Sequence, residues 1–504
     1  MSKLNIGWSE VSITPDKKIS LAGQFAERIS EYVEKPLTAT AMAVEAGDEQ
    51  MVLVSTDLVA VGGNLMDAIR ETLAGNDAGL DPNKVIVSAI HTHTGPVYPE
   101  EGYVGLHLNM GHSFRTLLES ELPPDRKYIE SAPISSSPEI ATDQEVYELL
   151  VERLTKVVLE AWNNRAPGSY VNAFGRAVVG MCRRAAYSDG SAQMWGDTNT
   201  AVFEALEGGN DSGIELLYVF DENEKLTGVV ANIACPAQCV QHRHFVSPDY
   251  WGEVKVRLRK YFGEDIYLLA LCSAAGDQCP VDLVRWVEPE SDLNDPNCTR
   301  VNPPKRKADP SMFDLPGMYK AGKRVANESI EVWEEGLDEA QTDPVFEHRV
   351  ELMQLPIRRA TLADINRAKA GIRDYLRDIQ GRDVDYNDVA NLQVHLGVIA
   401  RAKKQEILDV LETEIHIIRL GTIAMASNPF ELFLDYGNQI KARSAAEQTF
   451  LIQLANGAEG YLPTAKAERH GHYSAFISSG QVGHVGGEQL VRETLQNIRE
   501  MFAE

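Results

Sequence analysis

Residues 85–96, VIVSAIHTHTGP, open with a nearly continuous apolar run, Val85 to Ile90, and close on His91-Thr92-His93 and then Thr94-Gly95-Pro96. An apolar run bounded by turn residues predicts a strand buried on both faces, as in the sheet of an α/β protein. If the chain stays extended, His91 and His93 share a face, since side chains two apart on a strand point the same way. Ligands of α/β folds gather beyond the carboxyl ends of strands. An imidazole pair there suits a metal such as Zn2+ held by both rings, or by one ring with the other free for substrate. It equally suits two polar residues that finish a strand and hydrogen-bond to neighbouring loops.

Working outward, the same motif returns: a short apolar run that ends in polar, chemistry-bearing residues. On the amino-terminal side, Leu4 to Val11 reads as a strand stopped at Ile13-Thr14-Pro15, and Leu21 to Gln24 with Arg28 as a polar, glycine-bearing loop. Ala39 to Ala46 and Met51 to Val54 flank a Gly47-Asp48-Glu49 turn, and the second ends in Ser55-Thr56-Asp57. Asp57 there either orients an imidazole or caps the helix expected near Asn64.

On the carboxyl side, residues 97–140 read as a long irregular wall carrying Tyr98, Tyr103, His107 and His112. Asp143 starts an amphipathic helix with Val146, Leu149, Leu150, Leu154, Val157 and Trp162 at helical spacing, a core stripe. Tyr170 to Gly180 is strand-like and leads to Met181-Cys182-Arg183-Arg184. A strand pair, Ile214 to Phe220 and Leu226 to Ala234, runs into Cys235-Pro236-Ala237-Gln238-Cys239, with His242, His244 and Asp249 behind. A C-x3-C spacing is not a zinc-finger signature, and two free thiols flanking a turn explain it as well.

Val254 to Phe262 is a helix. Tyr267 to Leu271 is a strand ending in Cys272-Ser273-Ala274-Ala275-Gly276-Asp277-Gln278-Cys279-Pro280, where small residues let the backbone approach a ligand. Cys279 is either a nucleophile or a buried, inert thiol. Residues 287–318 are a proline-rich surface loop, and Thr361 to Gln380 with Asp388 to Leu411 form a charged helical hairpin. Ile415 to Ala426 is a strand, and Phe430-Glu431-Leu432 opens a helix. Phe450 to Leu454 is a strand that leads to Asn456-Gly457 and Gly460-Tyr461-Leu462-Pro463-Thr464. The glycine-rich stretch Gly480 to Gly487, with His484, precedes a final helix from Glu488 to Met501. Strand-end clusters at 91–93, 235–249, 276–280, 431 and 461 point to one composite site, and so to an enzyme.

Composition sets outer bounds. The 504 residues are 44% hydrophobic, with no low-complexity tract and no internal repeat. The formal net charge of −26 repels phosphate backbones and anionic membranes, so nucleic acid and membrane are not expected partners. The first residues carry no apolar core of signal-peptide length and no stretch approaches a membrane span, which predicts a cytoplasmic chain. Its six cysteines, Cys182, Cys235, Cys239, Cys272, Cys279 and Cys298, are then expected to be reduced. Oligomeric state is left open.

The ordered set of motifs resembles the catalytic domain of the neutral/alkaline, non-lysosomal ceramidases. It is carried by Ile13-Thr14-Pro15, Ser55-Thr56-Asp57, His91-Thr92-His93-Thr94-Gly95-Pro96 and Ala275-Gly276-Asp277-Gln278-Cys279-Pro280. Glu431 with Gly437, and Asn456 to Tyr461 with Thr464, complete it. The resemblance implies a single ceramidase-like α/β domain over residues 1–504, with mixed sheets flanked by helices and a helical insertion at about 361–411. No carboxyl-terminal immunoglobulin-like domain is expected, in which the chain departs from the family. It implies Zn2+ on His91, Glu431 and Tyr461, with His93 and Arg183 against the substrate oxygen and Tyr461 and Cys279 near the attacking one.

Two positions depart from the family pattern. Cys235 stands where the family carries its second zinc histidine, so the fourth ligand is Cys235, or His242 or His244 in its place. Cys279 stands where the family carries a serine. Asp57, Asp249 and Asp277 are expected only to support ligands. The implied activity is a zinc-dependent hydrolase, an amidase acting on a small polar substrate rather than ceramide. The alternatives are a metal-free thiol hydrolase built on Cys279 and a non-catalytic protein that binds a small ligand.

Overall fold

The computed structural model describes residues 3–24, 27–99, 110–130, 136–285 and 313–503. Tyr103, His107, the side chain of His112, Cys298 and most of the proline-rich stretch lie outside them. Eight strands make the main sheet: β1 (Asn5–Ser12), β2 (Thr38–Ala46), β3 (Glu49–Thr56), β4 (Val85–Ala89), β5 (Ala166–Arg176), β6 (Gly213–Asp221), β7 (Leu226–Ile233) and β8 (Tyr267–Cys272). Their order is β8-β7-β6-β5-β1-β2-β3-β4. The two edge pairs, β7 with β8 and β3 with β4, are parallel, and the joins between them are antiparallel.

This sheet does not lie open. Ser55 Oγ on β3 donates to Ala270 O on β8 at 2.6 Å, so strands near opposite ends of the order face each other. Both parallel edges therefore deliver their carboxyl ends to the same region, which is why loops 180 residues apart meet.

A second sheet, β9 (Phe346–Pro356), β10 (Val410–Leu420), β11 (Ile423–Ser427) and β12 (Gln448–Ile452), fills the inside of the curl. Leu53, Ile86, Leu217, Val230 and Leu269 from the main sheet bury against Ile418, Met425 and Phe450 from this one. Helix Asp143–Asn163 covers one arm of the main sheet with its Val146, Leu150, Leu154 and Val157 stripe. Helices Tyr250–Phe262 and Asp314–Glu335 cover the other arm, and helix His484–Phe502 covers the outer face of the second sheet. The molecule is thus α/β, with mixed sheets between helices.

Several sequence expectations shift. The strand at 85 ends at Ala89, before the histidines. Ile415 to Ala426 is two strands, because Gly421 at φ +61° turns the chain. Residues 97–140 contain a helix, Met110–Glu121, and the loop at 287–318 gives way to the helix that starts at Asp314. The helical pair is Leu362–Asp378 and Tyr386–Lys404, its second member ending before β10. Glu431 is not in a helix but in the two-residue strand Glu431–Leu432, and the helix starts at Leu434.

Candidate active site

Past β4 the chain leaves the extended conformation: His91 has φ +64°, a left-handed geometry that non-glycine residues adopt at a cost. The two imidazoles still converge, with ring centroids 5.0 Å apart and their Nε2 atoms at 3.4 Å. That convergence comes from the turn, not from strand alternation. His91 Nδ1 lies 2.6 Å from Val59 O, which makes it the protonated nitrogen and leaves the Nε2 lone pair pointing inward. Glu431 Oε2 sits 3.4 Å from that Nε2.

Glu431 arrives by a short parallel ladder. Strand Glu431–Leu432 pairs with Tyr461–Leu462 so that Glu431 and Tyr461 are directly in register. Gly276 approaches so closely that a Cβ there would meet Glu431 O at 2.2 Å, and its N–H donates to Leu432 O at 2.8 Å. The chain beyond β12 then crosses the ends of both edge strands: Gln453 N–H donates to Cys272 O, and Leu454 O accepts from Ala89 N–H. Glu431, Tyr461 and His91 are all buried there.

Arg183 follows the two-residue strand Met181–Cys182, which pairs with Gln278–Cys279. Its Nη2 donates to Tyr461 OH at 3.0 Å and to Gly276 O at 2.8 Å. Burial works against its charge, but the acidic groups around it, Glu431 among them, hold its pKa above the ordinary guanidinium value. Tyr461 is pushed well above the usual phenol range by burial, with Arg183 acting in the opposite direction. His93 Nε2 lies 2.6 Å from the Gln238 amide nitrogen, and Gln238 Oε1 faces Arg183 Nη1 at 3.5 Å. Arg183 only donates, so the amide is oriented with its N–H toward His93. His93 is backed by Gly23, at φ +89°, where a Cβ would fall 2.3 Å from the ring.

Among the described residues the five cysteines are buried thiols. Burial raises Cys279 to about 12, against the pull of Arg183, and raises Cys235 well above its ordinary value. Cys235 Sγ makes its hydrogen bond to Pro236 O at 3.5 Å. His242 packs on Phe313 and is pushed down to about 3, first by burial and then by Arg28. His244 contributes its carbonyl to Glu31 N–H. Among the described residues, no three His, Cys, Asp or Glu side chains are grouped to hold a metal ion.

The three aspartates brace the backbone. Asp57 neither orients an imidazole nor caps a helix: its Oδ2 accepts from Thr38 N–H and Oγ1. The helix near Asn64 starts from Gly62 with no side-chain cap. Asp249 caps helix Tyr250–Phe262 and takes Val240 N–H at 2.8 Å, and burial raises it to about 6. Asp277 accepts from Leu434 N–H at 2.9 Å, tying the Gly276 turn to the Glu431 strand.

Two residues of the site escaped sequence reasoning. In the sequence Gln238 stands only as part of a C-x3-C turn. Tyr473, whose ring centroid is 5.5 Å from that of Tyr461 and whose hydroxyl shares a hydrogen bond with it, sits in a His-Gly-His-Tyr-Ser turn with no periodic signal.

The architecture is that of a neutral-ceramidase-like fold. Neutral ceramidase from Pseudomonas aeruginosa is similar to this chain with a TM-score of 0.68 and 15% identity, over 100% of this chain and 75% of that one. A ceramidase complexed with C2 is similar with a TM-score of 0.63 and 14% identity, over 98% of this chain and 74% of that one. No family model and no curated protein matches the sequence.

Proposed function

We propose that this chain is a zinc-dependent hydrolase of ceramidase type that cleaves the amide of a small polar compound. The observation that carries the reading is the approach of His91 Nε2 and Glu431 Oε2 at 3.4 Å, with Tyr461 in register beside the carboxylate. Two donors each about 2.1 Å from a tetrahedral zinc lie about 3.4 Å apart, so the pair fits one ion. The Val59 carbonyl that fixes the His91 tautomer is the usual outer partner of a ligating imidazole. His91, Glu431 and Tyr461 would hold the ion, with Cys235 as the fourth candidate. Zinc bound there supplies Lewis acidity to a carbonyl and a lowered pKa to water.

The chain's own groups do the rest. Arg183 offers a fixed positive charge to the oxygen that gains charge as the carbonyl is attacked, and burial strengthens that interaction. His93 exchanges its Gln238 contact for the substrate oxygen. Tyr461 and Tyr473 place two hydroxyls beside it. The acidity of the molecule favours a soluble polar substrate over a membrane lipid.

Protein purified without chelator is expected to carry about one zinc per chain, and His91→Ala and Glu431→Gln to lose it. All three proteins are then assayed on short N-acyl amides. Metal-free protein with full activity would overturn the reading. Cys235→His keeps or raises zinc occupancy if Cys235 is a ligand, and unchanged metal and activity remove it from the site. A thiol hydrolase on Cys279 is less well supported, because burial raises the thiol to about 12 and so disfavours the thiolate.

A further inference from the structure

Arg183 and Arg184 are neighbours in sequence and point to opposite sides. Arg183 enters the site, whereas Arg184, on strand Arg184–Tyr187, is fully buried away from it. Its Nε and Nη2 pair with both oxygens of Glu207, itself buried. The donors left over go to a single turn: Nη1 to Tyr473 O at 2.7 Å and Ser474 Oγ at 3.3 Å, and Nη2 to Gly471 O at 2.7 Å. Glu207 adds a second hold through His470 Nδ1 at 2.8 Å.

That turn does not hold itself. Gly471, His472 and Ser474 have φ of +73°, +69° and +69°, and for the two non-glycine residues this conformation is strained. Such strain persists only where surrounding contacts over-determine it. Tyr473 lies between the strained residues, and its hydroxyl meets Tyr461. A buried ion pair spent on three backbone and side-chain oxygens of one turn is an expensive device for stability alone.

We propose that Arg184 is a positioning residue: its guanidinium, set by Glu207, clamps the Gly471–Ser474 turn and so fixes the Tyr473 phenol against the reacting oxygen. The proposal rests on the hydrolase reading for its catalytic consequence, but not for the clamp itself. The test uses the full chain, Arg184→Lys, Tyr473→Phe and the double variant, with a short-chain N-acyl-4-nitroanilide as probe. Arg184→Lys is expected to lower kcat 10- to 100-fold while KM changes less than about threefold, because the phenol is misplaced rather than substrate binding lost. In the Tyr473→Phe background the same substitution is expected to cost almost nothing further. An equal loss in both backgrounds means that Arg184 acts through something else and overturns the proposal.

Amide hydrogen exchange of residues 470–475 is the second readout. Arg184→Lys is expected to raise exchange there at least tenfold and leave the Tyr461 strand unchanged. Wild-type exchange in that turn overturns the clamp whether or not the probe is hydrolysed. A wild type that cleaves no N-acyl amide while the turn loosens as expected defeats the hydrolase reading instead. If Arg184→Lys does not fold, Glu207→Gln, which keeps the guanidinium but frees it to move, is expected to shift both readouts in the same direction by a smaller factor.

Discussion

Two single residues, Gly23 and Tyr461, lie directly against the groups of the site. Gly23 has φ +89° and backs onto the His93 ring, so Gly23→Ala combines a strained backbone with a methyl 2.3 Å from Cγ. It is expected to destabilise the fold by about 1–3 kcal/mol and to cut activity more than the loss of folded protein explains, as read by urea midpoints beside kcat. Tyr461→Phe removes the hydroxyl that Arg183 and Tyr473 both approach. Its kcat is expected to fall on the order of 100-fold, with a stability loss of about 1–3 kcal/mol from the buried partners that the hydroxyl leaves behind. A variant with wild-type kcat would remove Tyr461 from the chemistry.

Between elements, the link that holds β4 in register with its surroundings is Asn456. Its Oδ1 accepts from Val87 N–H at 2.7 Å, and its Nδ2 reaches Val85 O and Glu414 Oε1, each at 3.0 Å. Asn456 stands at φ +55°, so one strained residue ties β4, the strand that leads into the histidines, to β10. Asn456→Ala strands a buried amide N–H and is expected to cost about 2 kcal/mol by chemical denaturation. The amino end of helix Asp143–Asn163 is a smaller case. Thr142 and Glu145 form a reciprocal capping box, and Thr142→Ala is expected to lower stability by about 1 kcal/mol without touching activity. A melting curve that does not move would show that this end is held by packing alone.

Across the whole molecule, pH dependence follows from histidines buried between the two sheets. His348 on β9 meets His416 on β10 at 2.8 Å, and burial, then His416, pushes its pKa down to about 3. Burial also lowers His416, while Glu414, paired with Arg70 and His416, stays ionised against its own burial. In the unfolded chain a histidine titrates near 6.5. Below about pH 6.5 the unfolded chain binds a proton that folded His348 refuses, so stability falls as pH drops from there toward 3. The urea midpoint is expected to fall between pH 7 and pH 5, less steeply in His348→Gln. An equal slope in both proteins would assign the acid sensitivity elsewhere.

What was legible in the chain by itself was whatever depends on local pattern. The alternation and apolar runs of β2, β3, β7 and β8 located strands, the 3.6-residue stripe from Val146 to Trp162 located a helix, and motif order along the chain pointed to a ceramidase-like α/β fold. The small residues around Gly276 suggest a close approach to a ligand, whereas Gly276 packs against the Glu431 strand. Tertiary structure decided the rest, because each remaining feature is set by contacts distant in sequence. The curl that brings Ser55 to Ala270, the register of Glu431 with Tyr461, the left-handed turn that makes His91 and His93 converge, and the Arg184 contacts that hold Tyr473 have no periodic trace. A ladder two residues long and a strained turn draw their stability from their surroundings, so only the folded chain reveals them.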